Sequence, residues 1–220
     1  MRNDLPNYET FAAAITEVPS AWAIRENPER QLRVALTSTL GGGRRGRSEC
    51  ALPAIAIREG TIEVEDIMVG YRPSVPSDVL HELVDEPVWG QESDEHRRLK
   101  LHARLLALAI DPSSELEPEA CLGQMPSAKR VDLLAVAGSG ALTAYECGSI
   151  DGRKICRLFD DGVARIIVLP FAGLNDPLFM RGWCFSLKGT SQIAPVSPDS
   201  VRTAWRTLQD NLAGFPVPTR

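Results

Sequence analysis

The sequence predicts an α/β chain of the α+β type, a mixed sheet flanked by helices. Three stretches carry this expectation. Arg130–Phe171 reads as strand, tight turn, strand, helix, strand. An amphipathic stretch at Ser93–Ile110 precedes it, and another at Ser197–Ala213 closes the chain. With 220 residues, 44% hydrophobic and 24% charged, the chain can bury one sizeable core.

Residues 1–40 read as helical. Tyr8–Val18 is alanine-rich with Phe11 and Ile15 on one face, and Pro19 ends it. Pro28–Leu40 starts on a proline and repeats leucine at 32, 36 and 40. Its last residues, VALTSTL, are rich enough in β-branched side chains to finish as a strand. Gly41–Arg47, GGGRRGR, is the sharpest local change in composition. Arg44, Arg45 and Arg47 there suit phosphate oxygens; the plainer reading is a solvated hairpin tip. Cys50–Ile57 and Thr61–Val69 read as strands joined by Arg58-Glu59-Gly60. Proline punctuates 73–87, with a short helix expected at Ser77–Val84, and 70–92 reads as a connection. Residues 1–90 are thus taken as an N-terminal α+β portion of open role, and 91–220 as the core.

Ser93–Ile110 places Leu99, Ala103, Leu106 and Ile110 on one stripe. Ser93 or Asp94 can cap it, acids fill its first turn, and Pro112 ends it. Glu115–Cys121 reads as a strand that Pro118 confines to an edge or a bulge. Val131–Ala137 and Ala141–Cys147 are apolar runs of strand length joined by Gly138-Ser139-Gly140, a hairpin signal. Asp151–Phe159 has helical spacing at Ile155, Leu158 and Phe159, with Gly162 as its stop. Arg165–Phe171 is a strand too apolar to have a wet face. Gly182–Lys188 reads as a further strand. The closing helix places Val201, Ala204, Trp205, Leu208 and Leu212 on one face, capped by Ser197 or Asp199.

No apolar run approaches the roughly 20 residues of a membrane span, and MRNDLPNYET has no signal-peptide core. A cytoplasmic protein is expected, with no membrane partner. Five cysteines, at 50, 121, 147, 156 and 184, form no CxxC pair, which argues against a disulfide framework or structural zinc. The net charge of −5 excludes a uniformly basic surface but not a local basic patch.

Two acids interrupt the apolar hairpin. A turn centred symmetrically on Ser139 sets Asp132 opposite Glu146, with Cβ atoms roughly 4.5–5.5 Å apart. Opposed like charges are destabilising unless neutralised, and carboxylate oxygens are what Mg²⁺ prefers. The plainer reading is two strand-end acids in solvent. A bulge at the turn would shift the register and separate them.

From Ser93 the elements run helix, strand, strand, strand, helix, strand. This order resembles the core of the restriction-endonuclease-like, or PD-(D/E)xK, nuclease superfamily, over roughly residues 93–171. Asp132 in RVDLLAV and Glu146 in LTAYECG stand where that family carries its aspartate and glutamate. The position two after Glu146 is Gly148 rather than the usual lysine. Some members supply the lysine from the following helix, and Lys154 lies at that helix's start. Glu95 matches an acid of the opening helix that joins the metal site in some members; otherwise it is a first-turn acid answering the helix dipole. His96, beside it, has no partner histidine on its face and is not taken as a metal ligand.

The resemblance implies a nuclease acting on DNA or RNA phosphodiesters with Mg²⁺ or Mn²⁺. Asp132, Glu146 and Glu95 would hold the metal, and Lys154 would stabilise developing charge. The alternative is a catalytically silent subunit of the same fold that binds nucleic acid or a protein partner in a larger complex. A third reading leaves the hairpin acids in solvent with only a structural role.

Overall fold

The computed structural model describes residues 60–70, 75, 80, 84, 92–123, 129–148, 150, 152–171, 179–190, 193–194 and 196–213. The elements expected at Tyr8–Val18, Pro28–Leu40 and Cys50–Ile57 lie outside the described residues. So do Arg44, Arg45 and Arg47, and most of Ser77–Val84.

In chain order the strands are β1 (Ile62–Gly70), β2 (Glu115–Pro118), β3 (Cys121–Leu122), β4 (Lys129–Arg130), β5 (Leu133–Val136), β6 (Leu142–Cys147), β7 (Val163–Leu169) and β8 (Phe179–Leu187). The helices are α1 (Asp94–Ile110), α2 (Gly152–Asp160) and α3 (Pro198–Ala213). Six strands form one mixed sheet in the order β1-β8-β7-β6-β5-β2, and β3 pairs with β4 as a separate ribbon. β6 and β7 are parallel, and the other neighbours in the sheet are antiparallel. A parallel pair needs a crossover, and α2 is that crossover. β1, from the 1–90 portion, pairs along its whole length with β8.

Alternation along the strands divides the core in two. Leu134, Ala144, Ile166, Val168, Trp183 and Phe185 face α2 and pack under Ile155, Leu158 and Phe159. Leu133, Ala135, Tyr145, Ile167, Leu169 and Cys184 face the other way, under Leu99, Ala103 and Leu106 of α1 and Val201 and Ala204 of α3. The sheet is thus covered on both sides, which is why Arg165–Phe171 reads as continuously apolar.

The caps follow from local chemistry. Ser93 Oγ accepts from the His96 amide at 3.2 Å and starts α1. Ser197 Oγ accepts from the Ser200 amide at 3.1 Å and starts α3. Gly162, at φ 89°, ends α2 by donating to Phe159 O. Pro118 ends β2 at the sheet edge, and the expected single strand Glu115–Cys121 breaks there. Glu119 takes φ 52° and turns the chain out of the sheet into the ribbon.

The hairpin keeps the register set by its turn. Leu133 faces Tyr145, Leu134 faces Ala144, Ala135 faces Thr143 and Val136 faces Leu142, all symmetric about Ser139. Gly140, at φ 81°, closes the turn by donating to Ala137 O. Asp132 lies in a bend one residue before β5, at the position the register places across from Glu146.

Leu158 has no exposed surface and joins α2 to the sheet. Leu158→Ala is expected to lower unfolding free energy by about 2–5 kcal/mol, from lost transfer energy and the cavity left behind. Urea denaturation checks this, and a loss well under 1 kcal/mol would contradict the packing.

Candidate functional site

The parallel strands β6 and β7 end side by side at Cys147 and Leu169, where Gly148 N donates to Leu169 O at 2.7 Å. The carboxyl ends of strands in open α/β sheets are where ligands commonly bind. Four charged groups from four elements meet near this end.

Glu146 is the deepest, 3% exposed. It shares the α2-facing side of the sheet with Ala144, so the first turn of α2 lies over it. Lys154 Nζ is 2.6 Å from Glu146 Oε1. Burial pushes the Glu146 carboxyl up to about 7; the Lys154 charge works against this, and the nearby Asp132 charge adds to it. A lysine at a helix N-terminus is disfavoured by the helix dipole, and α2 has no acid in its first turn. Glu146 therefore offsets an unfavourable placement of Lys154 as much as Lys154 offsets the burial of Glu146.

Asp132 Oδ2 accepts from the Cys147 amide at 2.6 Å, which ties the start of β5 to the end of β6. Its Oδ1 is 3.4 Å from His96 Nε2 on α1. Burial alone would raise the Asp132 pKa, but His96 and the Cys147 amide bring it below the ordinary carboxylate value. The bond to Asp132 in turn holds His96 above its ordinary value against desolvation. Each partner thus favours the charged form of the other.

Behind it, Lys100 is 2% exposed and sits between Glu92, at 2.7 Å, and Glu119. Arg130 Nε is 2.7 Å from the other Glu119 oxygen. Glu119 N donates to Asp132 O, so the two bends where the chain leaves and re-enters the sheet are bonded to each other. Each of these acids thus meets a protein cation.

Of the residues expected at a site, Glu146 pairs with Lys154, and Asp132 lies across the hairpin from Glu146 but bonds to His96 of α1 and to the Cys147 amide. Glu95 is exposed, and the α1 side chains that reach the acids are His96 and Lys100. Sequence reasoning passed over His96, Lys100, Glu92 and Glu119. The available signal was the spacing of His96 and Lys100, which puts histidine and lysine on one face of α1 beside an apolar stripe.

Gly148 sits where the chain turns past the end of β6. Its φ is +100°, and a Cβ there would lie 2.5 Å from Phe171 Cε2. The Phe171 ring covers the position, so a side chain there would displace the ring and sit at a left-handed φ. Gly148→Ala is expected to cost about 2–5 kcal/mol, combining left-handed strain with overpacking. Thermal or urea unfolding checks it, and near-neutral stability would show that the ring moves aside freely.

The Glu146 shift has a pH consequence in metal-free protein. The native carboxyl holds its proton to about 7, while the unfolded one releases it near 4.5. Between those values the native state binds more protons, so this group's contribution to stability falls as pH rises. The full change is at most about 3 kcal/mol. Glu146→Gln is expected to flatten that slope in urea titrations run from pH 4.5 to 7.5; an unchanged slope would assign it elsewhere.

Among the described residues no cluster of three or more His, Cys, Asp or Glu side chains is arranged to hold a metal. Mg²⁺ does not require one, since it is usually held by one or two carboxylates plus water and substrate phosphate. Asp132 and Glu146, two carboxylates opposite each other on the hairpin, match that smaller demand in number. A groove of about 340 Å³ lies elsewhere, between the end of α1 and the start of α3, lined by Leu108, Pro112, Ser200 and Thr203. None of its lining residues belongs to the charged cluster, and the chemistry is better sought at the acids. Among the described residues Cys121, Cys147, Cys156 and Cys184 form no disulfide. No described helix is long and apolar enough to cross a membrane. No family model, curated protein or solved structure matches the chain.

Proposed function

We propose that the chain is a Mg²⁺-dependent nuclease acting on DNA or RNA phosphodiesters, with a restriction-endonuclease-like core. The observation that carries the reading is the Lys154 ammonium, 2.6 Å from the buried Glu146 carboxylate, which lies across the hairpin from Asp132. The element order from α1, helix, β2, β5, β6, helix, β7, supports it as well.

Asp132 and Glu146 would hold the ion, with Mn²⁺ as an equivalent. When bound, it polarises a phosphodiester oxygen and lowers the pKa of a coordinated water. Lys154 places a fixed positive charge where negative charge develops on the transferring phosphate. His96 and the Cys147 amide orient Asp132, and Lys100 holds α1 against the sheet corner through Glu119. The internal pairing of each acid with a protein cation favours a second reading, a silent nuclease-fold subunit that binds nucleic acid or a protein partner.

The readings separate experimentally. With a broad panel of DNA and RNA substrates, Mg²⁺-dependent cleavage is expected, and Lys154→Ala should lower it by about a hundredfold or more. Melting curves run alongside should show the variant folded. Mg²⁺ at about 100 times its Kd should add about 2.7 kcal/mol of stability, and Asp132→Asn should remove that gain. Wild-type protein that binds nucleic acid, cuts nothing and gains no stability from Mg²⁺ or Mn²⁺ would leave the silent subunit.

A further inference from the structure

Arg130 ends β4, two residues before Asp132, and the chemistry above gives it no role. Its side chain is 50% exposed, while that of its partner Glu119 is 11% exposed. Nε is the guanidinium nitrogen nearest the carboxylate, 2.7 Å from Glu119 Oε2. Lys100, itself 2% exposed, meets the other Glu119 oxygen, and the Glu119 amide donates to Asp132 O at 3.2 Å. The anchor of Arg130 thus belongs to the corner that carries Asp132. A guanidinium has two donor edges, one of Nε with a terminal nitrogen and one of the two terminal nitrogens. Contact through Nε engages the first and leaves the second. Arg97 and Arg202 are held the other way, through Nη1 on Asp94 and Asp199. Arg202 leans on an acid that is 87% exposed, an ordinary surface pair. Arg130 is instead braced by an acid of the interior, with half of its own side chain in water.

We infer that Arg130 binds a backbone phosphate of the nucleic-acid strand that enters the Asp132–Glu146 site, through the two terminal nitrogens of its guanidinium. The inference rests on the nuclease reading and deepens it: at this corner the substrate is gripped by its phosphates, not read by its bases. Two residues of chain span at most about 7 Å, so one strand can meet Arg130 and Asp132 together. The planar fork matches the non-bridging oxygens of a phosphate bidentately. Glu119 holds the fork beforehand, so less side-chain freedom is lost when the phosphate arrives. A contact of this kind sets the position of a strand and carries no sequence information. It therefore adds affinity on DNA and RNA of any sequence, and that affinity depends on salt.

The test uses the full chain with end-labelled DNA and RNA, as single strands and as duplexes, each in two unrelated sequences. Anisotropy is read in EDTA over about 50 to 200 mM salt, and melting temperatures report folding. Arg130→Gln is expected to weaken binding about tenfold at about 0.1 M salt on both sequences. The slope of log affinity against log salt should become shallower by about one. Arg202→Gln, on an arginine of like exposure, is expected to change neither. The double variant Arg130→Gln, Glu119→Gln removes the charge of the anchor as well, and serves also where an unpaired Glu119 unfolds the single variant. It is expected to stay on the shallower slope, because the phosphate donor is still missing. A return to the wild-type slope would show that Arg130 only neutralises Glu119, and would overturn the contact. So would a loss confined to one sequence, or an equal loss in Arg202→Gln. If folded Arg130→Gln binds like wild type while Lys154→Ala still removes Mg²⁺-dependent cleavage, the phosphate contact fails and the nuclease stands. If wild-type protein binds neither strands nor duplexes, the nuclease reading falls and the contact falls with it.

Discussion

A carboxylate on a buried sheet face is the constraint around which this end of the molecule is arranged. Glu146 is flanked by Tyr145 and Cys147 and lies on the same side as Ala144 and Val168. An isolated charge there is costly enough to force either protonation or a partner. Its neighbours answer on several levels. α2 begins where it brings Lys154 within 2.6 Å. Gly148 turns the chain sharply right after β6, so that the crossover can start at that height. The pairing is a compromise, since Lys154 sits at the wrong end of a helix for its charge. Neither group would be stable in its place without the other.

The second organising feature is the corner at Glu119 and Asp132. The chain leaves β2 at Glu119, runs out through β3, returns through β4 and re-enters the sheet at Asp132. Ala120 and Val131, just inside the corner, pack with the α2-facing core. The ribbon thus covers sheet surface while its two bends carry acids. Holding Glu119 at φ 52° costs of order 1–3 kcal/mol. Lys100 and Arg130 on its carboxylate, and the amide bond to Asp132 O, offset that cost. The corner joins α1 to the acids: Lys100 holds Glu119, and four residues earlier His96 holds Asp132. Site geometry and edge geometry are one arrangement, so a change at Lys100 would be felt at Asp132.

The expected neutraliser of the hairpin acids was a divalent cation, argued from like charges placed in register. The register is as expected, but protein cations and an amide already reach each acid. Repulsion between Asp132 and Glu146 is therefore not by itself a reason for a metal. What remains in favour of one is the donor chemistry, two carboxylates across one hairpin.

The sequence by itself determined the local grammar. The period of the apolar residues set α1, α2 and α3, serines at 93 and 197 capped two of them, and the glycines of the hairpin turn held the β5–β6 register. Such features depend on residues a few positions apart, so their physics is complete within a short stretch. The register carried Asp132 and Glu146 across from each other, because it is a consequence of one local turn. Only the tertiary structure decided the rest. That His96 and Lys100 face the acids depends on how α1 lies across the sheet. That Glu119 joins them depends on a left-handed bend after Pro118. That a side chain at position 148 would displace a ring depends on Phe171, which is distant in sequence and adjacent only because β6 and β7 run parallel. Contacts of this kind are set by packing between elements, and a sequence pattern holds no record of which faces will meet.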